Sequence, residues 1–321
     1  MRKSVTITLM AAAALSLSAC GAQNKKTAAT EENTAKVYFT KDISPAGLQK
    51  VYEALGRKAE GKVAVKISTG EPGGNNYLKP ALIKDFVASV NGTIVECNTA
   101  YGGGRAKTAD HLKAAADHGF TAIAPVDIMD SEGEMELPVK NGKHLKSDKV
   151  GSHFANYDFV VILSHFKGHA MAGLGGAIKN MSIGIGSSSG KLRIHTAGKS
   201  DTQWGNTPQD DFLESMAEAA KAIADYKGDK ILYINVANNL SVDCDCDAHP
   251  AAPKMGDIGI FASLDPVAVD QACVDAVFDS TDPGKADLIE RINSRNGTHT
   301  LDYAEQIGLG TKQYTLIDLD K

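Results

Sequence analysis

Two spacings of apolar residues alternate along this chain. Short runs rich in β-branched residues read as strands: Val37-Tyr38-Phe39, Val63 to Ile67, Thr93 to Glu96, Thr121 to Pro125, Phe159 to Leu163, Ile231 to Val236 and Ile258 to Phe261. Between them, apolar positions three or four residues apart predict helices near Pro45 to Arg57, from about Pro80, and over Thr108 to His118, Asp210 to Asp225 and Pro266 to Phe278. This order predicts an α/β fold, a largely parallel sheet flanked by helices, in one body or in two lobes with a cleft at the strand C-terminal ends. Thr196 to Gln209, polar with Gly, Asn and Pro, reads as a surface connection.

The first 35 residues break the pattern. Met1-Arg2-Lys3 is followed by an apolar stretch from Val5 to Leu17 and then by Leu17-Ser18-Ala19-Cys20. Early positive charge, an apolar core too short to span a bilayer and small residues before a cysteine predict a lipoprotein signal over 1–19, cleaved ahead of a lipidated Cys20. Gly21 to Ala35 is small and polar, a flexible spacer, which leaves 36–321 as the folded domain. The expectation is a bacterial cell-envelope protein, facing the periplasm or exterior and touching the membrane through its lipid alone.

Charge narrows the partners. The chain holds 34 basic and 39 acidic residues, and losing Arg2 and Lys3 with the signal takes the net charge from −5 to about −7. Without basic runs interleaved with aromatics, nucleic acid is not an expected partner, and no protein partner can be read. With Cys20 acylated, Cys97, Cys244, Cys246 and Cys273 remain. Cys244 and Cys246 stand too close for an easy mutual bridge, so the expectation is pairing elsewhere, metal binding or a reducing habitat.

Chemistry-bearing residues gather after the strands, where parallel sheets place their ligands. In Ser164 to Asn180, glycines including Gly175 and Gly176 precede a helix, with His165, Lys167, His169 and Lys179 around them. Amides at a helix start and two lysines suit an anion. Gly184 to His195 resembles a phosphate loop but has Leu192 where a magnesium-binding Ser or Thr is needed, so it reads as a flexible loop ending in Lys191 and His195. Asp243-Cys244-Asp245-Cys246-Asp247-Ala248-His249 offers thiolates, imidazole and carboxylates for a transition metal such as Zn, Fe or Ni, with Cys244, Cys246, Asp247 and His249 as candidate ligands. Asn98, Tyr101 and Arg105, beside Gly102-Gly103-Gly104, can meet a carboxylate or phosphate. Asp265-Pro266 reads as a helix cap, Asp270 as a group able to orient a histidine, and Cys273 as a core residue. His111, His118, His144, His153 and His299 lack such company.

These motifs resemble domain-of-unknown-function family 362, an iron-sulfur centre protein family. The resemblance is carried by Asn98-Thr99-Ala100-Tyr101 with Arg105, Ser164 to His169, Gly175 to Asn180, Gly190-Lys191 with His195, Cys244-Asp245-Cys246-Asp247, Asp257 to Ser263, Asp265 to Ala268, Leu301 to Glu305 and Gly308 to Gly310. Many relatives carry a four-cysteine ferredoxin cassette after the segment matching His195. This chain has no cysteine between Cys97 and Cys244, so a 4Fe-4S cluster is not expected. A more local similarity is to nickel-pincer lactate racemases, and it implies His169 as an acid/base, Lys179 as a cofactor anchor and His195 as a nickel ligand.

The functional expectation is an exported lipoprotein with a metal- or cofactor-dependent site for a small anionic substrate, the reaction being racemase-like or redox, with His165, His169, Lys179 and His195 as the catalytic candidates. A non-catalytic protein that binds a metal or an anion, or a structural surface protein, remains an open alternative.

Overall fold

The computed structural model describes residues 34–321, which form one compact unit. The lipoprotein signal, Cys20 and nearly all of the spacer lie outside the described residues. In chain order the strands are β1 (Ala35–Thr40), β2 (Val63–Lys66), β3 (Gly92–Glu96), β4 (Val126–Ile128), β5 (Glu134–Pro138), β6 (Ser147–Gly151), β7 (Phe159–His165), β8 (Lys167–His169), β9 (Gly173–Gly175), β10 (Ile231–Ala237), β11 (Gly259–Ser263) and β12 (Tyr314–Asp318). The helices are α1 (Pro45–Ala54), α2 (Pro80–Ser89), α3 (Thr108–Asp117), α4 (Ala177–Ile185), α5 (Ser188–His195), α6 (Gln209–Lys227), α7 (Pro266–Asp279), α8 (Lys285–Ser294) and α9 (His299–Gln306).

Eight strands form one sheet in the order β12-β1-β11-β10-β7-β2-β3-β4. All its pairings are parallel except the two made by β11, with β1 and β10. Strands β7 and β10 are buried along their whole length, which is why they read as unbroken apolar runs. One face packs on α1, α2 and α3 through Leu48, Val51, Ile83, Phe86 and Ala115. The other packs on α4, α6 and α7 through Ile178, Met181, Ala220, Ile223, Val269 and Cys273. From β2 the chain winds outward to β3 and β4, then returns to place β7 on the other side of β2 and continues to β10. The order therefore reverses between β2 and β7, and a crevice opens at the strand C-termini there.

Two expected elements differ. The run from Thr121 to Pro125 is not a strand: Gly119, in a left-handed conformation, ends α3, Phe120–Ala122 is a 3-10 turn, and the strand starts at Val126. Phe120 drops into the core, so its apolar signal belongs to a turn. The supposed loop from Gly184 to His195 is helix. Ser187 caps α5 by accepting from the Gly190 amide at 3.0 Å, and Gly190 is required because a Cβ there would strike the Lys149 carbonyl.

Candidate functional site

The crevice is a cavity of about 230 Å³, and residues from both sides of the reversal line it. Strand β2 delivers Lys66 and Ser68, β3 delivers Glu96, and β7 with β8 delivers Ser164, His165, Lys167 and His169. Helix α4 brings Lys179 and Asn180, α5 brings Lys191 and His195, and the loop after β10 brings Cys244, Asp245 and Cys246. Tyr101, Arg105, Gly175 and Gly176 also line it. Of the sequence candidates, Asn98, Asp247 and His249 do not. Asn98 is buried beside Thr108, to whose Oγ1 its Nδ2 donates at 2.9 Å, while Asp247 and His249 are exposed and the Asp247 carboxylate accepts the His249 amide at 2.8 Å.

Most of the polar wall is wired to itself. Arg105 donates to Glu71 at 3.0 Å, Glu96 at 3.4 Å and the Tyr101 hydroxyl at 3.1 Å. Its guanidinium is thus a strut between loops rather than an open anion clamp. Lys66 and Arg105, against the opposing effect of burial, hold the Glu96 carboxyl well below the usual range. Lys167 donates to the His165 carbonyl at 3.0 Å and to Asp245 at 2.9 Å. His165 places Nδ1 2.9 Å from Asp245 and Nε2 2.6 Å from the Asn238 carbonyl, so both ring nitrogens are engaged and the ring ties β7 to the cysteine loop. Lys191 donates to the Gly186 carbonyl at 2.5 Å. Asn180 donates to the Lys66 and Leu163 carbonyls, at 3.1 and 3.2 Å, and so bridges β2 and β7 at the point of reversal.

The start of α4 is not an open anion site. Asp270, on α7, accepts from the Ala177 amide at 2.7 Å and the Ile178 amide at 3.0 Å, and also from Asn235. Its carboxylate supplies the negative charge that a helix N-terminus attracts, and it orients no histidine. Gly176 is glycine for the same reason, since a Cβ would run into that carboxylate. Asp265 does cap α7, accepting from the Val267 and Ala268 amides, and Cys273 is buried in the core.

Three groups keep an unengaged functional atom or one turned toward sulfur. The Lys179 ammonium has no hydrogen-bond or ion-pair partner among the described residues, and burial followed by the like charge of Lys167 lowers it to about 7. Burial takes His195 down to about 4, so its ring is neutral. Its Nδ1 lies 2.6 Å from the Lys191 carbonyl and must carry the proton, leaving a lone pair on Nε2. His169, pushed well below its ordinary value by burial and then by Lys179, is locked in the opposite tautomer. Its Nδ1 accepts from the Met171 amide at 3.1 Å and the Ala172 amide at 2.9 Å, so Nε2 carries the proton, 3.8 Å from the Cys246 sulfur. One imidazole offers an acceptor and the other a donor.

Cys244 and Cys246 are bonded to each other. The expectation that they stand too close is corrected by the local turn, which sets their Cα atoms 5.2 Å apart, inside the usual disulfide range. Ligand atoms of His169, Cys244 and Cys246 lie within 4.8 Å of one another, the grouping of a metal site once the pair is reduced to thiolates.

Sequence reading passed over Trp204, Lys66 and Glu96. Trp204 lines the cavity and meets His195 edge-on with ring centres 5.0 Å apart, while Phe212 stacks on that ring at 4.7 Å. The signal for Trp204 was a lone tryptophan in a polar loop; for Lys66 and Glu96 it was a charge closing an apolar parallel strand.

Fold and site together define an open, doubly wound α/β protein with a cation-rich, small-molecule cleft at its topological switch point and groups able to hold a metal. The chain belongs to the domain-of-unknown-function family DUF362, whose model matches residues 63–275. Comparison with curated proteins returns no match. Among solved structures, it is similar to the lactate racemase apoprotein from Thermoanaerobacterium thermosaccharolyticum, at 18% identity and a TM-score of 0.40, over 64% of this chain and 51% of that one. A structural-genomics protein from Thermotoga maritima is similar at 15% identity and a TM-score of 0.42, over 72% of this chain and 57% of the other. The chain thus spans little more than half the length of these solved structures.

Proposed function

We propose that this chain is an exported, lipid-anchored enzyme that acts on a small organic anion by proton transfer, assisted by a metal or a cofactor held at Lys179 and His195. The observation that carries this reading is the state of those two groups: a buried amine near neutrality without a partner among the described residues, beside a neutral imidazole whose Nε2 has no hydrogen-bond partner there either. An amine with this affinity for protons exchanges them near neutral pH, and its neutral fraction is a nucleophile toward a carbonyl. His169 Nε2–H adds a donor for negative charge that develops on a bound oxygen. Lys66, Lys167, Lys191 and Arg105 outnumber Glu96 and Asp245 along the wall, so the field favours an anionic guest even though most of these cations are already hydrogen-bonded.

The donor set limits the metal. His195 Nε2 can ligate as it stands, whereas His169 would first have to move its proton to Nδ1 and break two amide contacts. Reduced Cys244 and Cys246 would add soft thiolates, which suit Zn, Fe or Ni rather than Mg or Ca. That sulfur pair supports the second reading, a binding protein that holds metal without turnover.

The test is protein purified anaerobically, with metal analysis and intact mass measured together, for the parent, Lys179→Ala and His195→Ala. The enzyme reading expects one equivalent of metal or a covalent mass increment, lost in both variants, and turnover of hydroxy or keto acids by the parent. Metal retained without turnover would favour the binding reading. Neither metal nor adduct, with ligand binding unchanged by both variants, would overturn the assignment.

A further inference from the structure

Two histidines that the sequence leaves without company meet on one carboxylate, away from the cleft. His144 lies in the turn between β5 and β6, Glu214 is on α6, and His299 opens α9. His144 Nε2 stands 2.6 Å from Glu214 Oε2, and His299 Nε2 stands 3.1 Å from Glu214 Oε1. Asp211, one turn earlier on α6, brings a carboxylate oxygen to within 4.8 Å of the ligand atoms of His144 and Glu214. None of these residues lines the switch-point cavity.

We propose that His144, Asp211 and Glu214 form a second metal site, for a divalent ion of the zinc class, that fastens the β5–β6 turn to α6, with His299 on α9 orienting the Glu214 carboxylate from its other oxygen. Three features support it. The donor set of one imidazole and two carboxylates, whose ligand atoms lie within 4.8 Å of one another, is one that zinc accepts with water completing its shell. The surroundings are already built, because Glu218 accepts the Lys143, His144 and Leu145 amides, the last at 2.8 Å, and the Tyr303 hydroxyl at 2.8 Å. That holds turn and helix in place without using Glu214. Charge also fits: the negative charges of Glu214, Asp211 and Glu218 all bear on Lys143, an environment that favours a cation.

Tautomer freedom separates the His144 ring from His169. His144 Nδ1 has no hydrogen-bond partner among the described residues, so the ring can carry its proton there and turn the Nε2 lone pair toward the ion. Lys143 is the present occupant, 2.6 Å from Glu214 Oε2, yet its side chain is 59% exposed and can swing into water.

The experiment uses the full chain with Cys244→Ser, Cys246→Ser and His195→Ala, so that the cleft donors cannot contribute, titrated with Co(II) and then competed with Zn(II). Expected are one saturable equivalent with the intense visible bands of low-symmetry Co(II), their loss on adding zinc, and a higher thermal midpoint with zinc. Glu214→Gln and His144→Ala should weaken binding by about 100-fold or more, as loss of a direct ligand exceeds the 10- to 100-fold cost of losing a supporting group. Lys143→Met should tighten binding, an outcome that misfolding cannot imitate. Absence of saturable binding, or affinities unmoved by all three variants, would overturn the site and leave the switch-point reading untouched.

Discussion

Lys179 owes its character to two things that a single residue cannot supply: a dry wall and neighbouring positive charge. Burial and Lys167 take it to about 7, so an amine-reactive reagent should label it with a midpoint near that pH, whereas exposed lysines label well above it. A bound anion would return part of the lost proton affinity, so the midpoint should rise when the cleft is filled. Peptide mass spectrometry across a pH series reads both effects, and a midpoint near the ordinary lysine value would sink the account. Asp148 makes the opposite case. Both its oxygens are buried without a hydrogen-bond partner among the described residues, and burial raises it to about 8. Between pH 4 and 8 the unfolded chain gives up this proton while the folded chain keeps it, so stability falls across that window as pH rises. Asp148→Asn should flatten the slope and stabilise the protein by roughly 1–3 kcal/mol at pH 8, with little gain at pH 4, as urea unfolding at the two pH values would report.

At the scale of elements, the sheet was legible because buried parallel strands are written as apolar runs with their working residues at the C-terminal end. His165 closing β7 and Lys66 closing β2 both follow that grammar, although only the first was read as functional. Helix α5 was not legible: a Gly and Ser cluster has the composition of a loop, and only the tertiary approach of Gly190 to Lys149 and the Ser187 cap make it helical. The tie between α7 and α4 was hidden for a similar reason, since local spacing cannot say which amides a distant Asp270 will meet. That tie predicts a consequence. Asp270→Ala leaves two helix amides unsatisfied in the core, with Asn235 keeping only the Cys273 sulfur as acceptor, and should cost roughly 2–4 kcal/mol. Asp270→Asn keeps one acceptor and should cost less. Because α4 carries Lys179, the alanine variant should also shift the Lys179 labelling midpoint; chemical denaturation and the same labelling series test both parts.

For the whole molecule, the proposed anchor and the disulfide bear on one question, where the protein works. A Cys244–Cys246 bond persists in an oxidising compartment and is reduced in the cytosol, and the signal we propose over residues 1–19 would direct the chain to the former. The two inferences are independent, one resting on the leader and the other on a loop more than 200 residues away. They can therefore be played against each other. Protein carrying Cys20→Ser should still be exported if the apolar core directs export, but should leave the membrane fraction and appear in the soluble envelope fraction with the disulfide intact. Protein made without residues 1–19 should stay in the cytosol and show four reactive thiols besides Cys20 after denaturation, against two, Cys97 and Cys273, for the exported form. Fractionation with thiol counting by mass spectrometry decides the matter. An exported form with all thiols free would remove the redox half of the argument, and a Cys20→Ser protein that stays with the membrane would remove the lipid half.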